Sequence, residues 1–337
     1  ALYFTGPGTL AVAVACVIAS NFFFGTGENL IAAFLPELAK SRAMGRVSGW
    51  GWSLGYLGGL LSLGACLAWL AHAKSAGRET AQAVPETMLI TAVLFGLASL
   101  PTFLFLRERA LPQPSADGIV RTAWARLAAT VHHARNFRDL ARFLVCTLFY
   151  QAGIAAVITL AAIYAQEAMH FSTHDTLVLI LVVNLTAACG AFGFGYLQDR
   201  IGHVRAIAAT LCGWILMVTL AWLAEGATLF WVAANIAGLC MGASQSAGRA
   251  MVGYLAPPSR LAEFFGLWGL AVKLASIFGP LTYGLVNWLS GGNHRQAILF
   301  TGAYFVIGLL LISGVDVARG RRSALRSDRS ERKAKFQ

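Results

Sequence analysis

The chain has 337 residues, of which 57% are hydrophobic and only 12% are charged, and its mean hydropathy is +0.65. Soluble domains carry about 25% charged residues, so this composition excludes an ordinary soluble enzyme or binding module and indicates a lipid solvent. A net charge of +11 would suggest nucleic acid in a soluble protein. Here it follows the membrane topology described below, and we expect no nucleic-acid partner.

Nine apolar runs are long enough to cross a bilayer, which takes about 20 residues in a helix. The runs are 10–35, 46–73, 88–106, 143–164, 176–197, 206–224, 228–247, 264–289 and 298–317. A polar segment at 107–142, called the hinge below, separates three runs from six. The predicted domains are therefore 1–106 and 143–317, on either side of the hinge, followed by a basic tail at 318–337. The tail is too polar to bury a face, and we predict that it is disordered.

Lysine and arginine are concentrated in alternate loops. These loops hold 22 of the 26: three at 40–46, seven in the hinge, two at 200–205, two at 249–260 and eight in the tail. The opposite loops hold Lys74, Arg78 and Arg295, and Lys273 lies within a run. Because Lys and Arg accumulate on the cytoplasmic side, we predict that the hinge and tail are cytoplasmic, and that residue 1 and residues 74–86 are external.

Polar and small residues recur every third run. The first, fourth and seventh runs hold polar side chains: Asn21, Thr26, Glu28, Asn29; Thr147, Tyr150, Gln151, Thr159; Asn235, Ser244, Gln245, Ser246, Arg249. The second, fifth and eighth runs hold glycines that permit close helix contact: Gly51, Gly55, Gly59; Gly190, Gly193, Gly195; Gly266, Gly269, Gly279, Gly284. The third, sixth and ninth have uncharged cores, as lipid-facing helices should.

The loop GYLQDRIGHVR at 195–205 resembles the G-x-x-x-D-R-x-G-R-R loop of the major facilitator superfamily. Its matching residues form a predicted gate: Gly195, Asp199, Arg200, Gly202 and Arg205. Gly195 permits close contact, Gly202 permits the turn, and Asp199 can meet the positive N-terminal end of a neighbouring helix. Such a contact would hold one conformation and release it in another. The plainer interpretation is an ordinary positively charged cytoplasmic loop.

Five further stretches narrow this resemblance. AAFLPE at 32–37 with RVSGWGWSLGYLGG at 46–59, and SQSAGR at 244–249 with EFFGLWGLAVK at 263–273 and FGP at 278–280, are similar to signatures of the vacuole effluxer branch. That branch includes autophagy-related fungal amino-acid exporters and bacterial relatives. The resemblance implies an all-α integral membrane protein, a major facilitator-type helical bundle. Nine transmembrane helices of an expected twelve are present, numbers four to twelve, and we expect the chain by itself not to transport.

The substrate and coupling candidates are polar groups within the runs: Asn21, Glu28, Tyr150, Gln151, Asn235, Gln245 and Lys273. Glu28 is the deepest carboxylate and could carry a proton, or it could simply hydrogen-bond near a helix end. Lys273, near the middle of a run, requires a partner or a wet cavity. The amides could instead hold helices together. Arg249 is expected to snorkel at the cytoplasmic end of its run, or to pair with Glu263 or another acidic neighbour.

The resemblance implies a secondary active transporter that moves a small polar solute, such as an amino acid, by alternating access. We expect it in a bacterial inner membrane, acting in efflux, with coupling to a proton and the oligomeric state left open. No H-E-x-x-H or G-x-S-x-G motif is present, so we expect neither an enzyme nor a cofactor. The six cysteines show no C-x-x-C spacing, so no metal site is indicated. The alternative is a transport-inactive receptor or scaffold that uses its basic cytoplasmic segments.

Overall fold

The computed structural model describes residues 2–6, 8–107, 121 and 137–335, with side chains described as far as 329. Most of the predicted hinge lies outside these residues. Within them, nine helices are long and apolar enough to cross a membrane. They are α1 Leu10–Ala33, α2 Met44–Ser75, α3 Thr80–Phe105, α4 Arg138–Glu167, α5 Thr173–Ile201, α6 His203–Leu223, α7 Ala227–Leu255, α8 Leu261–Leu289 and α9 His294–Ser313. Each predicted run coincides with one of these helices, and the ends differ by up to about two turns.

The ends of α5 show how local sequence sets the helix boundaries. The Ser172 side chain accepts a hydrogen bond from the Asp175 backbone N–H (3.1 Å), and the Asp175 carboxylate accepts one from the Ser172 backbone N–H (3.3 Å). This reciprocal capping box begins the helix. At the other end Gly202 has φ +90°, a conformation that favours glycine, and the chain enters α6 without a longer loop.

The structure divides into two compact units. The first comprises the described residues within Ala1–Glu28 and Leu57–Pro114, which are most of α1, the later part of α2, and α3. In it the Glu86 carboxylate accepts hydrogen bonds from the Arg78 guanidinium (2.7 Å) and the Trp69 indole (2.7 Å). The neighbouring carboxylate raises the pKa of Arg78, which lies in the link between α2 and α3.

The second unit comprises the described residues within Asn29–Tyr56 and Ser115–Gln337. Its core lies among α4, α6, α7 and α9, where the Trp214 and Phe305 rings stack with centroids 5.1 Å apart. The division into units cuts through α1 and α2. It therefore does not test the predicted division at the hinge, which stays a prediction.

The predicted disorder of the tail is wrong, because a tenth long helix, α10, runs from Val317 to Lys335. The Arg319 guanidinium donates two hydrogen bonds to the Asp139 carboxylate of α4, at 2.6 and 2.8 Å. Arg321 donates to the backbone carbonyl of Tyr254 (2.8 Å), and Ala324 is fully buried. The tail does bury a face, because its basic side chains find acceptors on helices distant in sequence.

The glycine repeat of α2 was expected to permit close contact with another helix, but the closest contacts with a neighbouring backbone are at glycines nearer the start of α2. A side-chain carbon at Gly55 or Gly59 would meet nothing within 4 Å. One at Gly49 would lie 2.5 Å from the Ala191 carbonyl oxygen, and one at Gly45 would lie 2.7 Å from that of Gly195. The close approach of α2 to α5 is therefore at the beginning of α2.

Candidate functional site

The second unit contains a cavity of about 370 Å³, within the range of roughly 300–1,000 Å³ typical of small-molecule sites. Its walls come from α2, α4, α5, α6, α7 and α9. Most of the lining is aromatic or aliphatic, and the aromatic residues are Trp52, Tyr56, Tyr164, Trp214 and Phe230. Such a surface binds the apolar body of a small molecule.

Two carboxamides and the Trp52 indole supply free polar groups to this cavity, and Trp52 Nε1 is buried without a hydrogen-bond partner among the described residues. Gln245 of α7 accepts a hydrogen bond at its Oε1 from Gln151 Nε2 (2.8 Å), and Gln151 is itself 97% buried. Asn184 of α5 uses its Nδ2 to donate to the carbonyl of Ile180 (2.8 Å), which leaves its Oδ1 as an acceptor. None of the described residues that line the cavity carries a formal charge.

The beginning of α2 is held by Asp199, which lies at the end of α5. Asp199 Oδ1 accepts from the Gly45 backbone N–H (2.9 Å), and Oδ2 accepts from the Arg46 backbone N–H (3.1 Å) and Nε (3.2 Å). First-turn N–H groups have no partner within their own helix and carry partial positive charge. This is the contact with a helix N-terminus that the loop sequence predicts, while its role as a gate stays a prediction.

A second contact holds α2 three residues further along. The Arg249 guanidinium of α7 donates to the Ser48 carbonyl (2.8 Å) and hydroxyl (3.1 Å), and the Ser48 hydroxyl donates to the Ser246 carbonyl (2.8 Å). The same guanidinium lies over the Trp52 ring, 5.6 Å from its centroid. Arg249 therefore contacts α2, while its expected position at the cytoplasmic end of α7 stays a prediction. We call the Asp199 and Arg249 contacts with α2 the α2 clamp.

The α2 clamp and the cavity share one helix. Gly45, Arg46 and Ser48 make the clamp contacts, and Trp52 and Tyr56 form part of the cavity wall one and two turns later. A movement of the beginning of α2 would therefore also change the cavity wall, because a helix moves largely as a rigid element.

Of the predicted substrate candidates in the second unit, the structure brings together only Gln151 and Gln245. Tyr150 is buried against Gly248 and does not line the cavity. Asn235 donates to the Trp231 carbonyl (2.8 Å) and is also absent from the lining.

Other candidates lie elsewhere. Lys273 is exposed on α8 and forms no ion pair among the described residues. Asn21 and Glu28 belong to the first unit, where Asn21 is exposed and Glu28 is half-buried. In the predicted gate, Arg200 and Arg205 are exposed, so Asp199 makes its polar contacts without them.

Sequence reasoning missed Trp52, Tyr56, Asn184 and Ser48. The first two were assigned only to a glycine-rich packing helix, although their four-residue spacing places both aromatic rings on one face. Asn184 interrupts the apolar run 176–197, and an amide at that depth is a signal for a polar contact. Nothing near Ser48 in the sequence indicates its bond with Arg249, which lies 201 residues away.

Comparison with known families decides the classification. The sequence model of the family described as "Vacuole effluxer Atg22 like" matches residues 2–325. The chain belongs to this family. Together with the nine apolar helices of the described residues, this makes it an integral membrane protein.

Two relatives in this family illustrate the similarity. The MFS-type transporter YxiO of Bacillus subtilis is 26% identical over 287 residues, which cover 84% of this chain and 66% of YxiO. Autophagy-related protein 22-1 of Aspergillus fumigatus is 25% identical over 334 residues, which cover 89% of this chain and 54% of that protein. The chain thus spans about half to two thirds of the length of these relatives.

Solved structures show the same fold at low identity. The human organic anion transporter MFSD10 (TETRAN) has a TM-score of 0.64 and 18% identity, covering 84% of this chain and 67% of its own. The Escherichia coli fucose:proton symporter FucP has a TM-score of 0.64 and 14% identity, covering 86% of this chain and 73% of its own. The all-α fold of this effluxer-family chain is therefore that of the major facilitator transporters.

Proposed function

We propose that this protein is a secondary active transporter that moves a small organic solute across a membrane by alternating access. The observation that supports this most is the α2 clamp beside the cavity. Asp199 holds the first turn of α2 through three hydrogen bonds of 2.9–3.2 Å, and the same helix forms a cavity wall. A hydrogen bond to a charged group contributes about 1.5–3 kcal/mol, so a solute that binds one state more tightly by a few kcal/mol can shift such a contact between closed and open.

The proposed orientation places the clamp on the cytoplasmic side. The loops on that side of the sequence hold 22 of the 26 lysines and arginines, including those at 40–46 and 200–205 beside the clamp. The proposal also takes α1–α9 as helices four to twelve of the superfamily plan. In this arrangement the clamp closes the cytoplasmic entrance, and its opening exposes the cavity to the cytoplasm.

Amino acids are the substrate class that the sequence resemblance suggests, and efflux is the direction that the family description suggests. Glu28 is the carboxylate proposed to carry a coupling proton, since FucP, one of the similar structures, is by title a proton symporter. The proposed location is a bacterial inner membrane.

Efflux from proteoliposomes that contain the full-length transporter tests this function, because this chain by itself is expected not to transport. Vesicles would be loaded with radiolabelled amino acids or with uncharged solutes of similar size, with and without an imposed proton gradient. Asp199→Asn should alter the efflux rate severalfold, because it removes the charge at the α2 N-terminus. Asp175→Asn, at the opposite end of α5, should leave it within about twofold, since an exposed capping box contributes only stability. Efflux no faster than from empty vesicles with every solute would contradict transport.

A further inference from the structure

We propose that the cavity in the second unit selects an uncharged solute with an aromatic or branched apolar body and one neutral hydrogen-bonding group. The inference rests on the proposed transporter function and names its substrate class. It differs from the amino acids that the sequence resemblance suggests, because a free amino acid carries two charges.

The walls of the cavity favour an apolar body. Trp52, Trp214 and Phe230 present aromatic surface, and Met217 and Met241 add flexible thioethers that adapt to irregular shapes. The indole N–H of Trp214 already donates to the Ser244 hydroxyl (3.0 Å), so this ring offers only its apolar faces. A flat or branched hydrocarbon group therefore gains contact here without displacing any hydrogen bond.

The same walls disfavour a charged group. A buried charge is costly unless a countercharge or several hydrogen bonds compensate it, and none of the described lining residues carries a charge. Arg249, on the far side of the Trp52 ring, already donates to the Ser48 hydroxyl and carbonyl. An ammonium or carboxylate on the solute would thus lose its hydration without gaining a countercharge from the described lining residues.

The free polar atoms match one neutral group. Because Gln245 Oε1 is occupied by Gln151, its amide nitrogen remains as a donor. Because Asn184 Nδ2 is occupied by the Ile180 carbonyl, its Oδ1 remains as an acceptor. The Trp52 indole N–H, buried without a partner among the described residues, adds a second donor. Two donors and one acceptor in one cavity fit a carboxamide or a hydroxyl, each of which donates and can accept two hydrogen bonds. Gln245 and Asn184 are therefore the specificity-determining residues of this proposal.

Three probes with one phenylpropyl body test the class. They are 3-phenylpropanamide, which is uncharged, 3-phenylpropylamine, which is a cation at neutral pH, and phenylalanine, which is a zwitterion. Calorimetric titration of the protein in nanodiscs, with empty nanodiscs subtracted, gives each Kd. We expect the amide to bind at least about tenfold more tightly than either charged probe.

Variants then test the two carboxamides. Asn184→Leu and Gln245→Leu should each weaken amide binding about fivefold, the effect of losing one neutral hydrogen bond. Asn235→Leu is the matched control, because Asn235 bonds a carbonyl of its own helix as Asn184 does but does not line the cavity. It should change the Kd less than about twofold. If one Leu variant does not fold, the other variant and the three-probe comparison on the unaltered protein still decide.

Equal or tighter binding of phenylalanine, no measurable binding of the amide, or an effect of Asn235→Leu as large as that of Asn184→Leu would overturn the proposal. Binding of the probes is measured without a proton gradient or flux, so its outcome can be distinguished from the outcome of the transport assay. Tight amide binding without flux would contradict only the transporter function. Flux of a charged solute without amide binding would contradict only the substrate class.

Discussion

At Lys273 an exposed ammonium lies within a membrane span, and it forms no ion pair among the described residues. A charge near the middle of a span costs roughly 2.5–3.5 kcal/mol on insertion scales, so we hypothesise that this ammonium has a functional role. We predict that Lys273→Met inserts at near-normal levels and loses most transport. Flux per inserted molecule in proteoliposomes that contain the full-length transporter measures this, with Lys40→Met, between two spans, as the control. Unchanged flux, or failure only through poor insertion, would remove the functional role.

The cavity residues show which parts of a binding site can be predicted from the sequence and which cannot. Gln151 and Gln245 could both be selected because amides within apolar runs are uncommon and require partners. Their mutual hydrogen bond could not be predicted, because the 94 residues between them leave the crossing of α4 and α7 undetermined. Trp52 gave no polar signal, since an aromatic ring is equally suited to face lipid, a core or a cavity.

At the scale of elements, the docking of α10 depends on one buried acid. Asp139 is 97% buried and accepts two hydrogen bonds from the Arg319 guanidinium and one from the Asp316 backbone N–H (2.9 Å). This carboxylate raises the pKa of Arg319, so the guanidinium stays charged throughout the accessible pH range.

We predict that Arg319→Gln releases α10, because a neutral amide cannot replace two charge-assisted bonds. Hydrogen–deuterium exchange of segment 317–329 should become severalfold faster. Arg322→Gln is the matched control, since Arg322 is exposed on the same helix, and its exchange should match that of the unaltered protein. Equal exchange in both variants would show that the ion pair does not hold the helix.

The contact between α2 and α5 gives a second prediction about elements. Gly49→Ala should prevent their close approach, because the added carbon would lie 2.5 Å from the Ala191 carbonyl oxygen. Gly55→Ala, in the same helix, meets nothing within 4 Å and should have no such effect. Cross-linking by a short bis-maleimide between cysteines at Trp50 and Tyr196, whose ring centroids lie 6.5 Å apart across α2 and α5, in a background without other cysteines, reports the approach. Efficient cross-linking in Gly49→Ala would contradict this close packing.

The helices that the sequence predicts correctly are those whose length and composition follow from the lipid environment alone. A spanning segment must form all its backbone hydrogen bonds within itself and present about 20 apolar residues to lipid. The nine apolar runs therefore correspond to the nine spanning helices found among the described residues. The tail was not predictable by that rule. Its helix depends on the bond from Arg319 to an aspartate 180 residues earlier, which no local pattern reveals.

At the scale of the whole molecule, charge predicts the topology. We expect a cysteine at Ala76 to be labelled by an impermeant maleimide in intact cells, and one at Ser323 only after the membrane is permeabilised. The reason is the concentration of 22 of 26 lysines and arginines in the loops assigned to the cytoplasm. Labelling of Ser323→Cys from outside would overturn the orientation. It would also move the α2 clamp to the external side.

The central claim is that the α2 clamp opens and closes as the protein alternates between two states. Pulsed electron resonance between spin labels at Lys40 and Leu197, in nanodiscs, measures this directly, because Lys40 precedes the clamped residues of α2 and Leu197 lies two residues before Asp199 on α5. The account predicts two distance populations, with the longer one enriched by Asp199→Asn and unchanged by Asp175→Asn. A single short distance, identical in all three proteins, would contradict it.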